Sequence, residues 1–159
     1  MAKKKAPAGK KKAAAGPAAA RPAGWLVKTE PSVYPWARLV ADGRTCWDGV
    51  LNYPARNHLS AMRVGERAFY YHPDEERSAV GLVEVVREGY PDPTADDPRW
   101  VAVDVAPVAA LRRPVTLAAI KADPALQEIA LVKQGRLSVL PLDAAAFARI
   151  LQLGGGLAE

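Results

Sequence analysis

The side chains best suited to chemistry are concentrated between Cys46 and His58. Trp47, Asn52, Tyr53, Arg56, Asn57 and His58 all fall within those thirteen residues. Trp and Tyr can stack on a planar heterocycle. Asn can offer both a donor and an acceptor to its edge, and Arg can pair with phosphate. That mixture suits the capture of an unstacked nucleotide in a pocket. The same residues also fit a structural role, as a loop and helix start whose Asn side chains cap backbone groups and whose aromatics fill a core. Residue types alone leave both readings open.

Catalysis has little to draw on. The chain holds two histidines, His58 and His72, and one cysteine, Cys46. One cysteine cannot supply an intramolecular disulfide or a multi-cysteine zinc site. It also cannot complete the His/Cys/Cys set of a zinc deaminase. Its neighbours, Arg44 and Asp48, do not give it the base and electropositive setting of a nucleophile, so a packed, inert thiol is expected. Asp92, Asp96 and Asp97 could hold magnesium, but in a proline-rich stretch they read as solvated turn residues. Neither a G-x-G-x-x-G nor a G-x-x-x-x-G-K-[ST] run occurs, which argues against a dinucleotide or P-loop fold. No cofactor and no metal is expected. A binding module is favoured, and an adaptor that recruits another protein stays open beside it.

Charge divides the chain in two. Residues 1–23 hold seven of the 22 Lys and Arg and no acidic residue. The remaining fifteen basic residues face all 17 Asp and Glu, so the body is slightly acidic. The first 23 residues are almost entirely Lys, Ala, Pro and Gly, a composition that cannot offset its own ordering entropy and should be disordered. Such a tail either binds phosphates without reading sequence or only solubilises the chain. If all seven charges engaged duplex DNA, they would add about −6 to the logarithmic salt slope.

The elements that must position the 46–58 cluster follow from pattern. Gly24 to Glu30 reads as a strand ended by Pro31. A helix begins at Pro35, with Trp36, Leu39 and Val40 on one face and Gly43 as its stop. Tyr53 to Met62 reads as a second helix. Arg67–His72 and Val80–Val86 read as strands joined by a polar turn at 73–78. Val101, Val103 and Val105 alternate as in a half-buried strand. Thr116 caps a helix through Lys121, Leu137–Leu140 is a short strand, and Asp143 caps a last helix ending at Gly154. Its buried stripe is Phe147, Ile150 and Leu151. Short strands interleaved with helices predict a mixed α+β fold, a β-barrel with flanking helices. With 159 residues, one domain is expected, at 24–154, with 155–159 as a short C-terminal tail. No apolar run approaches a membrane span, and no secretory signal is apparent. The expected location is cytoplasmic, in a bacterium on compositional grounds, with nucleoid association as a further option. Oligomeric state is not legible.

The order of several motifs resembles one family. Trp25-Leu26-Val27-Lys28-Thr29-Glu30-Pro31, then Trp47-Asp48-Gly49-Val50-Leu51-Asn52-Tyr53-Pro54-Ala55-Arg56-Asn57, are similar to the EVE domain pattern. The similarity continues through Tyr70-Tyr71-His72, the 80–86 and 100–105 strands, Pro114-Val115-Thr116-Leu117 and Gln134 to Val139. It covers essentially all of 24–154. The resemblance implies a PUA-like barrel related to the YTH and ASCH domains. It also implies an RNA- or DNA-binding function with a pocket for a modified or flipped base, such as methylated or hydroxymethylated cytosine. Carried over by position, Lys28 and Glu30 enter the pocket from the first strand. Trp47, Val50 and Asn52 form a wall, Tyr71 and His72 end a neighbouring strand, and Ser138 comes from the late strand. Arg56 and Asn57 stand near the entrance as backbone contacts. The chain departs from the pattern at Leu51, where a basic residue is usual, at Pro54, often Gln, and at Pro73, often Ser. These departures bear on selectivity and phosphate contact, not on the fold.

Overall fold

A computed structural model of the chain describes residues 22–29, 33–73 and 77–158. The expected basic tail, up to position 21, and Glu30 lie outside the described residues, as does the middle of the 73–78 turn. In chain order the elements are β1 (Gly24–Lys28), α1 (Trp36–Asp42), β2 (Thr45–Trp47), α2 (Tyr53–Ala61), β3 (Arg67–His72), β4 (Ser78–Pro91) and β5 (Val101–Thr116). They continue with α3 (Leu117–Ala122), a 3-10 turn (Pro124–Leu126), α4 (Ala130–Lys133), β6 (Val139–Leu142) and α5 (Ala144–Leu153). The strands form one sheet in the order β2-β5-β4-β3-β1-β6. Only the β1–β3 pair is parallel, and the chain crosses over between them through α1, β2 and α2.

The sheet is coiled tightly. Trp47 on β2 and Tyr70 on β3 are three strand positions apart, which in a flat sheet would separate them by about 14 Å. Their ring centroids are 5.5 Å apart, edge to face. The bending lies in β4 and β5, whose register shifts between Ala79 and Gly81, Leu82 and Val83, Val85 and Arg87, and Arg87 and Tyr90. Each such irregularity adds local twist and bend. The result is the expected mixed α+β arrangement, curled around a core that includes Trp25, Leu26, Phe69, Tyr70 and Leu82.

Most helix ends stand where sequence places them. Gly43 closes α1 in the left-handed region at φ 76°, its N–H donating to the Leu39 carbonyl. Thr116 and Asp143 cap α3 and α5 through their side-chain oxygens. Phe147 on α5 stacks on Phe69 with centroids 4.6 Å apart. This ring lies so close to β1 that a Cβ on Gly24 would meet it at 2.3 Å.

Several expectations need correction. Val40 is 53% exposed rather than buried, because a seven-residue helix meets the sheet only along Trp36 and Leu39. β4 and β5 run well past the expected ends, and β5 carries Pro107 and Pro114 in its interior. Pro107 pairs opposite Val83 where the register slips, a position that tolerates the missing donor. β6 lies two residues later than expected. β2 was not expected, since three residues show no period. Residues 155–158 do not trail away: Ala158 N–H donates to the Ala110 carbonyl, and Leu157 bridges Leu111.

Candidate functional site

The coiling of the sheet brings its two edges to one cleft. β2 contributes Thr45, Cys46 and Trp47, the end of β1 contributes Lys28 and Thr29, and Ser138 stands just before β6. Val33, Tyr34 and the loop from Asp48 to Leu51 complete the lining. The cleft has a volume of about 430 Å³, within the usual range of small-ligand pockets.

Each wall is held by identifiable bonds. The Lys28 N–H donates to the Ser138 carbonyl at 3.0 Å, and Thr29 N–H donates to Tyr71. The Lys28 ammonium donates to the Gly135 carbonyl at 2.8 Å, and burial lowers its pKa from the ordinary lysine value. On the opposite side, Asp92 accepts the Gly49 N–H at 2.8 Å and also the N–H and hydroxyl of Thr94. Burial alone would raise this carboxyl, but the bonds from Thr94 and Gly49 outweigh it and hold it below the ordinary value. Asp92 is 3% exposed, so it is a buried anchor and not the solvated turn residue that sequence suggested. The proline-rich context masked this, because the Gly49 N–H that it anchors lies in a distant loop.

Behind Cys46 lies a polar network. Tyr90 donates its hydroxyl proton to Asp104, which also pairs with Arg44 at 2.8 Å. The Tyr90 oxygen is 3.0 Å from the Cys46 sulfur. Burial pushes the thiol pKa up, in keeping with an inert cysteine. Among the described residues, no group of three or more His, Cys, Asp or Glu could hold a metal ion.

Of the residues singled out by sequence, the structure brings Lys28, Trp47, Val50 and Ser138 together in the cleft. Trp47 is mostly buried, and its ring also packs edge to face with Tyr70. The structure places the remaining described residues outside the cleft lining. Asn52 caps α2, accepting the Ala55 N–H through Oδ1 at 3.1 Å. It borders a neighbouring hollow with Pro54 and Gln134 to Leu137. Tyr71 is buried on β3, with the Lys28 ammonium 5.9 Å from its ring centre. His72 is buried with both ring nitrogens engaged: Nδ1 lies 2.7 Å from the Thr29 carbonyl, and Nε2 accepts the Trp36 N–H. Neither residue is among those lining the cleft. Arg56 lies over Tyr53 and donates to the Arg99 carbonyl, and Asn57 is exposed on α2. Glu30 lies outside the described residues.

Sequence reading missed Thr29, Val33, Tyr34, Thr45, Asp48 and Gly49 as cleft residues. Their signal was weak, since small polar residues and an isolated Tyr look like ordinary loop composition. Only the fold, which brings β1, β2 and the loops that follow them to one cleft, marks them.

Comparison with known proteins places this geometry. Residues 23–153 match the EVE domain. The chain belongs to the EVE domain family. The NMR structure of Rpa0253 from Rhodopseudomonas palustris is similar, with a TM-score of 0.80 and 48% identity, over 84% of this chain and 93% of that one. Human thymocyte nuclear protein 1 is 35% identical over 163 residues, spanning 81% of this chain and 72% of the human protein. The crystal structure of human THYN1 protein in complex with 5-methylcytosine containing DNA superposes with a TM-score of 0.77 and 34% identity. It covers 85% of this chain and 99% of that one. ASCH from Zymomonas mobilis, at 10% identity and a TM-score of 0.51 over 82% of this chain and 95% of that one, shares the fold alone. Among the described residues of this EVE domain, no helix is long and apolar enough to cross a membrane.

Proposed function

We propose that this EVE domain binds DNA and takes a modified base, such as 5-methylcytosine, into the cleft between Trp47 and Ser138. One observation carries the reading. The two edges of a coiled sheet converge on a cleft of about 430 Å³ that combines Trp47, Val50, hydroxyl side chains and a lysine. A relative with the same fold is seen with 5-methylcytosine containing DNA. In this reading Trp47 and Val50 give the base an apolar wall, while Thr45 and Ser138 offer hydrogen bonds to its edge. The Lys28 ammonium supplies positive charge at the mouth.

Arg56 and Asn57, on α2, are assigned to the nucleic-acid backbone. The seven charges of residues 1–23 would add sequence-independent affinity that falls with salt. We read the activity as binding, not catalysis. The engagement of both His72 nitrogens by backbone groups supports that, because it removes a candidate base from chemistry. On compositional grounds we place it with the DNA of a bacterial cytoplasm.

The test is titration of the chain with duplexes containing 5-methylcytosine or cytosine, and with matched RNA, over a range of salt. Affinity should fall with salt while the preference for the methylated base persists. One buried methyl group is expected to give about a fourfold preference. Equal affinity for both bases at every salt concentration overturns the reading.

A further inference from the structure

We propose that Leu51 is an apolar wedge that enters the DNA base stack where the bound base has left it. The proposal rests on the cleft reading above and deepens it.

Leu51 sits on the rim of the cleft and is 64% exposed, although its neighbour Val50 is buried at 8%. Adjacent residues thus face opposite ways, one into the core and one into solvent. The short run between them is pinned at both ends. On one side the Gly49 N–H donates to Asp92. On the other, Asn52 caps α2, with its Oδ1 accepting from Ala55 and its carbonyl from Arg56. A large apolar side chain is therefore presented to water on backbone that is fixed on both sides.

The chemistry of the loop selects its partner. Asp48, Gly49, Val50 and Leu51 include no basic side chain and one carboxylate, which disfavours phosphate. Base faces are the apolar part of DNA. Taking a base out of a duplex costs a few kcal/mol in lost stacking and pairing. Proteins that distort duplexes commonly insert apolar side chains between base steps. Leu51 is placed beside the cleft where the vacated step would lie.

Other exposed apolar groups nearby are less suited. Tyr53 is stacked on Trp100 with centroids 5.0 Å apart, and its hydroxyl accepts from Arg99 at 2.6 Å. Val33 also lines the cleft and is exposed, but it is the shorter side chain.

The experiment compares the full chain with Leu51→Ala, Leu51→Met and Val33→Ala by fluorescence anisotropy. The probes are a fully paired duplex with one 5-methylcytosine and the same methylated strand alone, each with a cytosine control. Leu51→Ala should weaken duplex binding about tenfold more than single-strand binding. Leu51→Met should retain the wild-type duplex-to-single-strand ratio, and Val33→Ala should not lower it. Equal losses on the two probes, no loss on either, or a selective duplex loss at Val33 instead of Leu51 overturns the wedge while leaving the cleft reading intact. A wild-type chain with no preference for 5-methylcytosine on either probe overturns the cleft reading and the wedge with it.

Discussion

The Asp92 carboxylate and the Gly49 N–H meet at 2.8 Å, and this bond ties the loop wall of the cleft to the end of β4. Both oxygens of Asp92 are in use, one for Gly49 and one for the N–H and hydroxyl of Thr94. Asp92→Asn keeps one acceptor oxygen and turns the other into a donor, which must face an N–H. Leaving a buried donor unsatisfied costs about 1–3 kcal/mol. The variant should lower the unfolding free energy, read from urea titrations, by that amount and weaken 5-methylcytosine binding, because the loop loses its anchor.

Acid should act through the same group. Asp92 and Asp104 are both held below the ordinary carboxylate value of 3.8, since hydrogen bonds outweigh the opposing effect of burial. In the unfolded chain they titrate near that ordinary value. Between the lowered and ordinary values the unfolded chain binds more protons, so acid favours unfolding. Their stabilisation is therefore complete above the ordinary value and is lost as pH falls through the lowered one. Urea midpoints measured from pH ~7 to pH ~3 should fall at the acid end, and less steeply in Asp92→Asn.

Asn52 separates a capping role from a base-reading role. Asn52→Ala removes the acceptor of the Ala55 N–H at the start of α2. The expected loss is about 1 kcal/mol of stability. The preference ratio for 5-methylcytosine over cytosine should remain that of the wild type. Chemical denaturation and paired titrations measure the two effects independently.

Gly81 makes room for Trp36 at the start of α1, just after the cleft residues Val33 and Tyr34. A Cβ there would meet the Trp36 ring at 2.5 Å. Gly81→Ala should destabilise the fold by about 1–3 kcal/mol through overpacking. It should also displace α1 and with it Tyr34, whose hydroxyl donates to Asp42 on that helix. A lowered thermal midpoint together with weakened binding is the expected result.

What the sequence made legible follows physical range. Caps are local, so Gly43, Asn52, Thr116 and Asp143 could each be read as a possible terminus from a few neighbouring residues. The Arg67–His72 strand has its observed bounds because its apolar run is bracketed by turn residues. The cleft was half legible. Lys28, Trp47, Val50 and Ser138 carry the family pattern and do converge. His72, Tyr71 and Asn52 carry it equally, yet meet backbone or core partners outside the cleft lining. The pattern records which residues matter, but it cannot distinguish a side chain that faces a ligand from one that holds a strand or helix end. Asp92 was misread for the complementary reason, since its partner Gly49 lies 43 residues away and only the fold brings them together. The ends of β4 and β5 were hidden by irregular register, which lets Pro107 sit inside a strand.

The central claim is that the cleft between Trp47 and Ser138 selects the base. Ser138 is partly buried on its wall, and a Phe at this position would fill the space without removing a core side chain. The deciding measurement is the affinity ratio for 5-methylcytosine over cytosine DNA in Ser138→Phe, with the fold verified by circular dichroism. The account predicts that the ratio falls to one while salt-dependent binding to both DNAs survives. A folded Ser138→Phe chain that keeps the wild-type ratio would contradict it.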